Sequence, residues 1–150
     1  MAQVVPPQCG LAHELLHHRT TEVILAEYYK VFNELGSGFK EEIFQRAMII
    51  ALTEAGLSVQ QKVVMRVWFR GRQIGYFTAD IVVENVVLLE IKAAKQLESW
   101  HTAQTLNYLA ASDLEVALLL NFGQKPQFKR LILTNDQKVR PRIPVALDPC

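Results

Sequence analysis

Apolar residues recur along this chain with two different periods. Between Thr20 and Ala55 the spacing is helical. Val23, Ala26, Tyr28, Val31 and Phe32 approximate one apolar face, and Ile43, Phe44, Ala47, Ile50 and Ala51 form a second. Thr20 or Thr21 is placed to cap the first helix, which runs through Phe32 and stops at Leu35-Gly36-Ser37-Gly38. The second is predicted from about Phe39 to Ala55, with Gly56 at its C-cap. After Gly56 the period becomes two. Residues 57–70 alternate through Val59, Val63, Met65, Val67 and Phe69 to a hairpin turn at Arg70-Gly71-Arg72. Ile74–Val83 reads as the return strand and Val86–Lys92 as the next. Glu98–Ala111 is helical again, with Ala103, Leu106, Leu109 and Ala110 as its stripe, and Glu115–Asn121 and Phe128–Leu133 are strands. The predicted order is helix, helix, three strands, helix, two strands, with no internal repeat.

Composition narrows the class. A chain of 150 residues, 50% hydrophobic and 21% charged, is one globular domain with a sizeable core. Its 16 basic and 15 acidic residues leave a formal charge of +1. That balance argues against coating nucleic acid nonspecifically and leaves room for a local basic rim. No apolar run approaches the ~20 residues of a membrane span. Met1-Ala2-Gln3-Val4-Val5-Pro6-Pro7 lacks a basic n-region and an apolar h-region, so a cytoplasmic location is expected. Cys9 and Cys150, near the two ends, read as reduced thiols. Cys9, His13 and His17 or His18 have zinc-like spacing but lack a fourth ligand. The expected division is a loose lead-in over 1–19, a folded body over 20–133, and an extended tail over 134–150 carrying Pro141, Pro144 and Pro149.

The candidate chemistry lies in Ala79-Asp80-Ile81-Val82-Val83 and Val87-Leu88-Leu89-Glu90-Ile91-Lys92. Charges at the ends of runs this apolar need partners, because burying an unpaired charge is costly. If the loop is Glu84-Asn85-Val86 with Asn85 left-handed, Asp80 faces Glu90 with Cβ atoms roughly 4.5–5.5 Å apart. The two-residue period puts Glu90 and Lys92 on one face. Two such carboxylates suit Mg²⁺ or Mn²⁺, an ion able to acidify water and stabilise charge on a phosphoryl oxygen. Lys92 would orient the attacking water or neutralise the developing anion. A plainer reading has the acids pairing with Lys92 to fix strand register, and both readings stand at this point.

Other residues bear on the choice. Glu41 opens the second helix, where an acid also complements the helix dipole by about 0.3–1 kcal/mol. His101, Gln104 and Tyr108 share one helix face. Lys92, Lys95, Lys129 and Arg130 are candidates for phosphate contact. Arg66, Arg70 and Arg72, with Trp68 and Phe69 between them, suit phosphates and bases or serve as edge protection for a hairpin.

The order of these features (helix acid, strand Asp, Glu-x-Lys strand, helix with Gln) resembles the PD-(D/E)xK nuclease superfamily. More closely, it resembles the small bacterial family named for its GxxExxY motif, written here Gly38-Phe39-Lys40-Glu41-Glu42-Ile43-Phe44 with Phe in place of Tyr. The likeness continues through Thr78-Ala79-Asp80-Ile81-Val82, Leu89-Glu90-Ile91-Lys92-Ala93 and His101-Thr102-Ala103-Gln104. It extends on through Leu106-Asn107-Tyr108-Leu109, Leu120-Asn121-Phe122-Gly123 and Lys129-Arg130. Ala79 stands where the superfamily signature has Pro.

The resemblance implies an α/β, restriction-endonuclease-like core: a central mixed β-sheet of about five strands flanked by helices, with metal ligands at one end of the middle strands. By position Asp80 and Glu90 match the metal-binding acids, Lys92 the catalytic lysine, Glu41 the helix acid that completes the site, and Gln104 the polar residue of the following helix. His101, Tyr108, Lys95, Lys129 and Arg130 are expected to contact substrate. The activity implied is Mg²⁺- or Mn²⁺-dependent hydrolysis of phosphodiester bonds by a metal-activated water, in DNA rather than RNA. The alternative is a non-catalytic nuclease-like fold serving as a binding or homo-oligomeric assembly module.

Overall fold

Strand β3 (Val87–Lys92) is the centre of the architecture, and every residue in it except Lys92 is buried. The computed structural model describes residues 16–138. The lead-in before Leu16, with Cys9 and His13, and the tail beyond Lys138, with its prolines and Cys150, lie outside the described residues. Around β3 the sheet runs in chain order, from β1 (Val59–Phe69) and β2 (Arg72–Val83) to β4 (Val116–Phe122) and β5 (Pro126–Ile132). Neighbouring strands are antiparallel except β3 and β4, which are parallel. Parallel neighbours need a long crossover, and helix α3 (Ser99–Ala111) supplies it. The sheet is therefore mixed and five-stranded, as expected.

Helices cover both sheet faces, which is why β3 and β4 are continuous apolar runs rather than alternating ones. On one face α1 (His18–Leu35) and α2 (Glu41–Glu54) pack Ile24, Tyr28, Phe44 and Met48 against Ile81, Leu89 and Leu118. On the other, Leu109 of α3 meets Leu88, Ala117 and Val82, with Val63 and Met65 of β1 in the same cluster. Burying a Leu, Ile or Phe side chain stabilises by about 1.5–3 kcal/mol, so these two layers hold the sheet in place.

Several boundaries differ from the sequence reading. Neither Thr20 nor Thr21 caps α1. Its N-cap is His17 in the left-handed region, and Thr21 lies inside the helix, its hydroxyl donating back to the His18 carbonyl at 2.9 Å. Helix α2 begins at Glu41 instead of Phe39 and ends at Glu54, so that Ala55 and not Gly56 is its C-cap, and Gly56 follows one residue later at φ 87°. Strand β2 starts at Arg72, because Arg70 and Gly71 alone make the turn, with positive φ at both. Strand β5 starts at Pro126, a residue a sheet tolerates at the first position of an edge strand. In the β2–β3 loop Asn85 is left-handed as anticipated. Glu84 is left-handed too, and the Val86 amide closes the turn on the Val83 carbonyl at 3.0 Å.

Candidate active site

The register set by that turn brings the acids together. Ile81 pairs with Leu89, Val82 with Leu88 and Val83 with Val87. The next position in the same register matches Asp80 with Glu90, and there the backbone ladder gives way to side chains. The Ile91 amide donates to Asp80 Oδ2 at 2.8 Å, and the Asp80 amide donates to Glu90 Oε1 at 3.4 Å. Each carboxylate thus occupies the seam where β2 separates from β3.

The opposite neighbour explains the separation. Between the pairs Gln61–Ile81 and Val63–Ala79, Lys62 lies across from Asp80 with φ 51°. A left-handed Lys breaks strand geometry, and the faces exchange at this point: Ile81 belongs to the α1–α2 cluster, whereas Ala79 belongs to the α3 cluster. Sequence reasoning missed Lys62, whose charge acts favourably on ionised Asp80. The only hint was the polar run Gln60-Gln61-Lys62 inside an apolar strand.

The electrostatics of the acid pair are adverse without a cation. Glu90 is 3% exposed. Burial first, and then the Asp80 charge, push its carboxyl up to about 8, against the opposing pull of the Asp80 amide and Lys92. Burial also raises Asp80, opposed by the Ile91 amide and Lys92. Glu41, exposed at the start of α2, reaches the end of β3, where the Ala93 amide donates to its Oε1 at 3.4 Å. Its charge raises both acids further.

Lys92 is held from α3. Its Nζ donates to Gln104 Oε1 at 3.2 Å and lies 5.8 Å from the Trp100 ring centroid. The helix start itself is fixed by His101, a buried residue whose Nδ1 accepts from the Glu98 amide at 2.8 Å in a capping box. Burial and then Lys92 lower the His101 pKa, so the ring is neutral and carries its proton on Nε2. Tyr108, one turn beyond Gln104, is stacked on Phe77 of β2 at 4.1 Å and 7°. Burial, then Glu90 and Asp80, raise its phenol pKa, so it stays protonated.

The remaining basic residues divide. Lys129 lies level with Glu90 across β4 and reaches α3, donating to Thr102 Oγ1 at 3.4 Å. Lys95 is exposed on a surface cleft of about 300 Å³ shared with Ser37, Gly38, Phe39 and Gly123. Arg130 points the other way: its guanidinium donates to the Leu16 carbonyl, and it pairs across the sheet with Leu118 of the α1–α2 face.

The chain leaving β3 is clamped from below. Asn121 accepts from the Ala94 amide at 2.9 Å and donates to the Ala94 carbonyl at 3.0 Å. Gln127 accepts from the Leu97 amide at 2.9 Å. Gly123 permits the approach, since a Cβ there would meet the Ala94 carbonyl oxygen at 2.6 Å. The Tyr28 hydroxyl joins this clamp, donating to the Asn121 carbonyl and accepting from the Gln127 amide at 3.1 Å.

Among the described residues no three His, Cys, Asp or Glu side chains gather closely enough to cage a metal unaided. The donor set nonetheless fits a hard divalent ion. Mg²⁺ is ordinarily held by one or two carboxylates, with waters and phosphate oxygens completing its shell. Two facing oxygen ligands, both raised by burial, are such a set. An acid pair that cannot comfortably ionise alone is stabilised as the dianion by a cation.

A family model described as the PD-(D/E)XK nuclease superfamily matches residues 18–131, and the chain belongs to that superfamily. A search among curated proteins returned no match. Among solved structures, one titled "Crystal structure of SSO0001" is similar, with a TM-score of 0.51 and 16% identity over 81% of this chain. The chain spans 61% of that structure's length, and the likeness speaks for the fold alone.

Proposed function

We propose that this protein is a divalent-metal-dependent nuclease that hydrolyses phosphodiester bonds in DNA rather than RNA. The observation that carries this reading is the seam at which Asp80 and Glu90 face each other, with the Lys92 ammonium tethered by Gln104 on the same side. Asp80 and Glu90 would hold Mg²⁺ or Mn²⁺, with Glu41 adding negative charge from α2. Such an ion, when bound, polarises a phosphoryl oxygen and eases deprotonation of water.

The chain's own residues do the rest. Lys92 sets a positive charge where the phosphorane-like transition state gains negative charge, and Gln104 fixes its position. Trp100 shields it on one side. Lys95 and Lys129 hold flanking phosphates. His101 works by capping α3, so that Gln104 is presented in register. Arg130, turned to the other face, is left out of the site. The Gly38–Phe44 segment supports the narrower placement in the GxxExxY family, and a cytoplasmic location goes with it. Among the described residues no helix is long and apolar enough to cross a membrane.

Incubation of the purified protein with single- and double-stranded DNA and RNA, with Mg²⁺, Mn²⁺ or chelator, tests the proposal. Cleavage is expected with metal, absent in chelator, and lost in Lys92→Ala while the circular dichroism stays unchanged. Equal inertness of wild type and Lys92→Ala on every substrate and ion would reject it.

A further inference from the structure

The β1–β2 ribbon does not end where the site ends. In the Asp80–Glu90 register, Lys92 lies level with Thr78, and β2 continues from Phe77 back to Arg72 paired only with β1. That is roughly 20 Å of two-stranded arm beyond the end of β3, at about 3.3 Å per residue. Its inner face is secured: Phe77 stacks on Tyr108, and Val63 and Met65 are buried under α3.

Its outer face is open and has an unusual composition. Arg66 pairs with Tyr76 on this stretch, and beyond a register shift between Val67 and Trp68 the tip carries Phe69 paired with Arg72, with Ile74 between the two pairs on β2. Phe69 is 55% exposed, Ile74 64% and Tyr76 68%. The Arg70 guanidinium lies 4.9 Å from the Phe69 ring centroid at the tip. Four of the chain's 16 basic residues fall between Ala55 and Ala79, and none of its 15 acids.

We propose that this arm grips single-stranded DNA, its aromatic rings stacking on unpaired bases while Arg70 and Arg72 contact phosphates. The inference deepens the nuclease reading and rests on it for the choice of nucleic acid. Exposed rings interleaved with arginines are what base stacking and backbone neutralisation require together. Bases already stacked in a duplex offer no free faces to those rings. A second copy of the chain is a poorer occupant, because a two-fold contact would set this acid-free surface against itself. Strand β2 runs on from the patch to Asp80, so the arm and the acid pair are built on one strand.

The test uses full-length Lys92→Ala protein in chelator, so that binding is read apart from cutting, with fluorescence anisotropy on labelled single-stranded and duplex DNA. Single strands are expected to bind more tightly. Phe69→Ala and Tyr76→Ala each weaken that binding about tenfold. Tyr76→Phe restores it, and Arg70→Gln or Arg72→Gln each reduce the salt slope by about one. Unchanged affinity in the ring variants, or preference for duplex, overturns the proposal. So does a wild-type dimer in sedimentation that Tyr76→Ala dissolves, which would assign the face to a second copy. Cleavage by the Lys92-containing protein is scored in parallel: cutting that survives the ring substitutions defeats only the arm, whereas absence of cutting with arm binding intact defeats the nuclease reading.

Discussion

The two halves of β2 behave as different kinds of strand. Ile81, Val82 and Val83 are fully buried, paired on both sides, and read as core. From Arg72 to Thr78 the same strand has one neighbour, an exposed face and a short apolar contact to α3. Asp80 stands at the changeover. A carboxylate in the inner half would be stranded in hydrocarbon, and one in the outer half would be solvated and ordinary. At the boundary it is desolvated enough to want a cation and open enough to receive one. Functional groups at a sheet's splitting point obtain both conditions from topology alone.

The largest effect that sharpens this contrast is on the chemistry beside the boundary. Lys92→Ala should lower cleavage by about 10²–10⁴-fold with an unchanged melting temperature, since the side chain is half-exposed and contributes a charge rather than packing. Next come the strand halves themselves. Ile81→Ala is expected to cost about 2–5 kcal/mol in urea unfolding, and Ile74→Ala within about 0.5 kcal/mol of nothing. Equal costs would break the comparison. Gln104→Ala, which frees the ammonium without removing it, should reduce kcat about 10–100-fold, with Gln104→Glu a partial rescue.

A smaller, pH-linked effect follows from Glu90. Its pKa rises from 4.5 to about 8 on folding, so the folded chain binds this proton more tightly than the unfolded one. Without divalent ion, its contribution to stability is fully present below about 4.5, declines as pH climbs, and is gone above about 8. Melting temperatures of Glu90→Gln in chelator should therefore fall less over that window than those of wild type. Mn²⁺ should flatten the wild-type slope as well. Identical slopes in the two proteins would show that the carboxyl is not held in a desolvating site.

Much of this was legible because the polar residues stood out against apolar runs. Glu90 and Lys92 could be placed on one face from period two, and Asn85 gave the turn that sets the register. The element order followed from the change in period at Gly56. What was not legible depends on tertiary context. Lys is not a residue that advertises positive φ, so the break at Lys62 could not be foreseen. Thr21 has the chemistry of a cap yet spends its hydroxyl within the helix, because the chain before it continues the turn. Tyr108 shares a helix face with Gln104, but the Phe77 ring that stacks on it comes from a distant strand. The alternation of β5 does place Lys129 and Arg130 on opposite faces, a distinction that adjacency in sequence conceals.

Calorimetric titration with Mn²⁺ near neutral pH, repeated in buffers of different ionisation heat, bears most directly on the paired carboxylates. One binding event is expected, accompanied by proton release as Glu90 ionises, and abolished in both Asp80→Asn and Glu90→Gln. Binding that persists undiminished in both variants, or heats that show no proton release, would contradict the account.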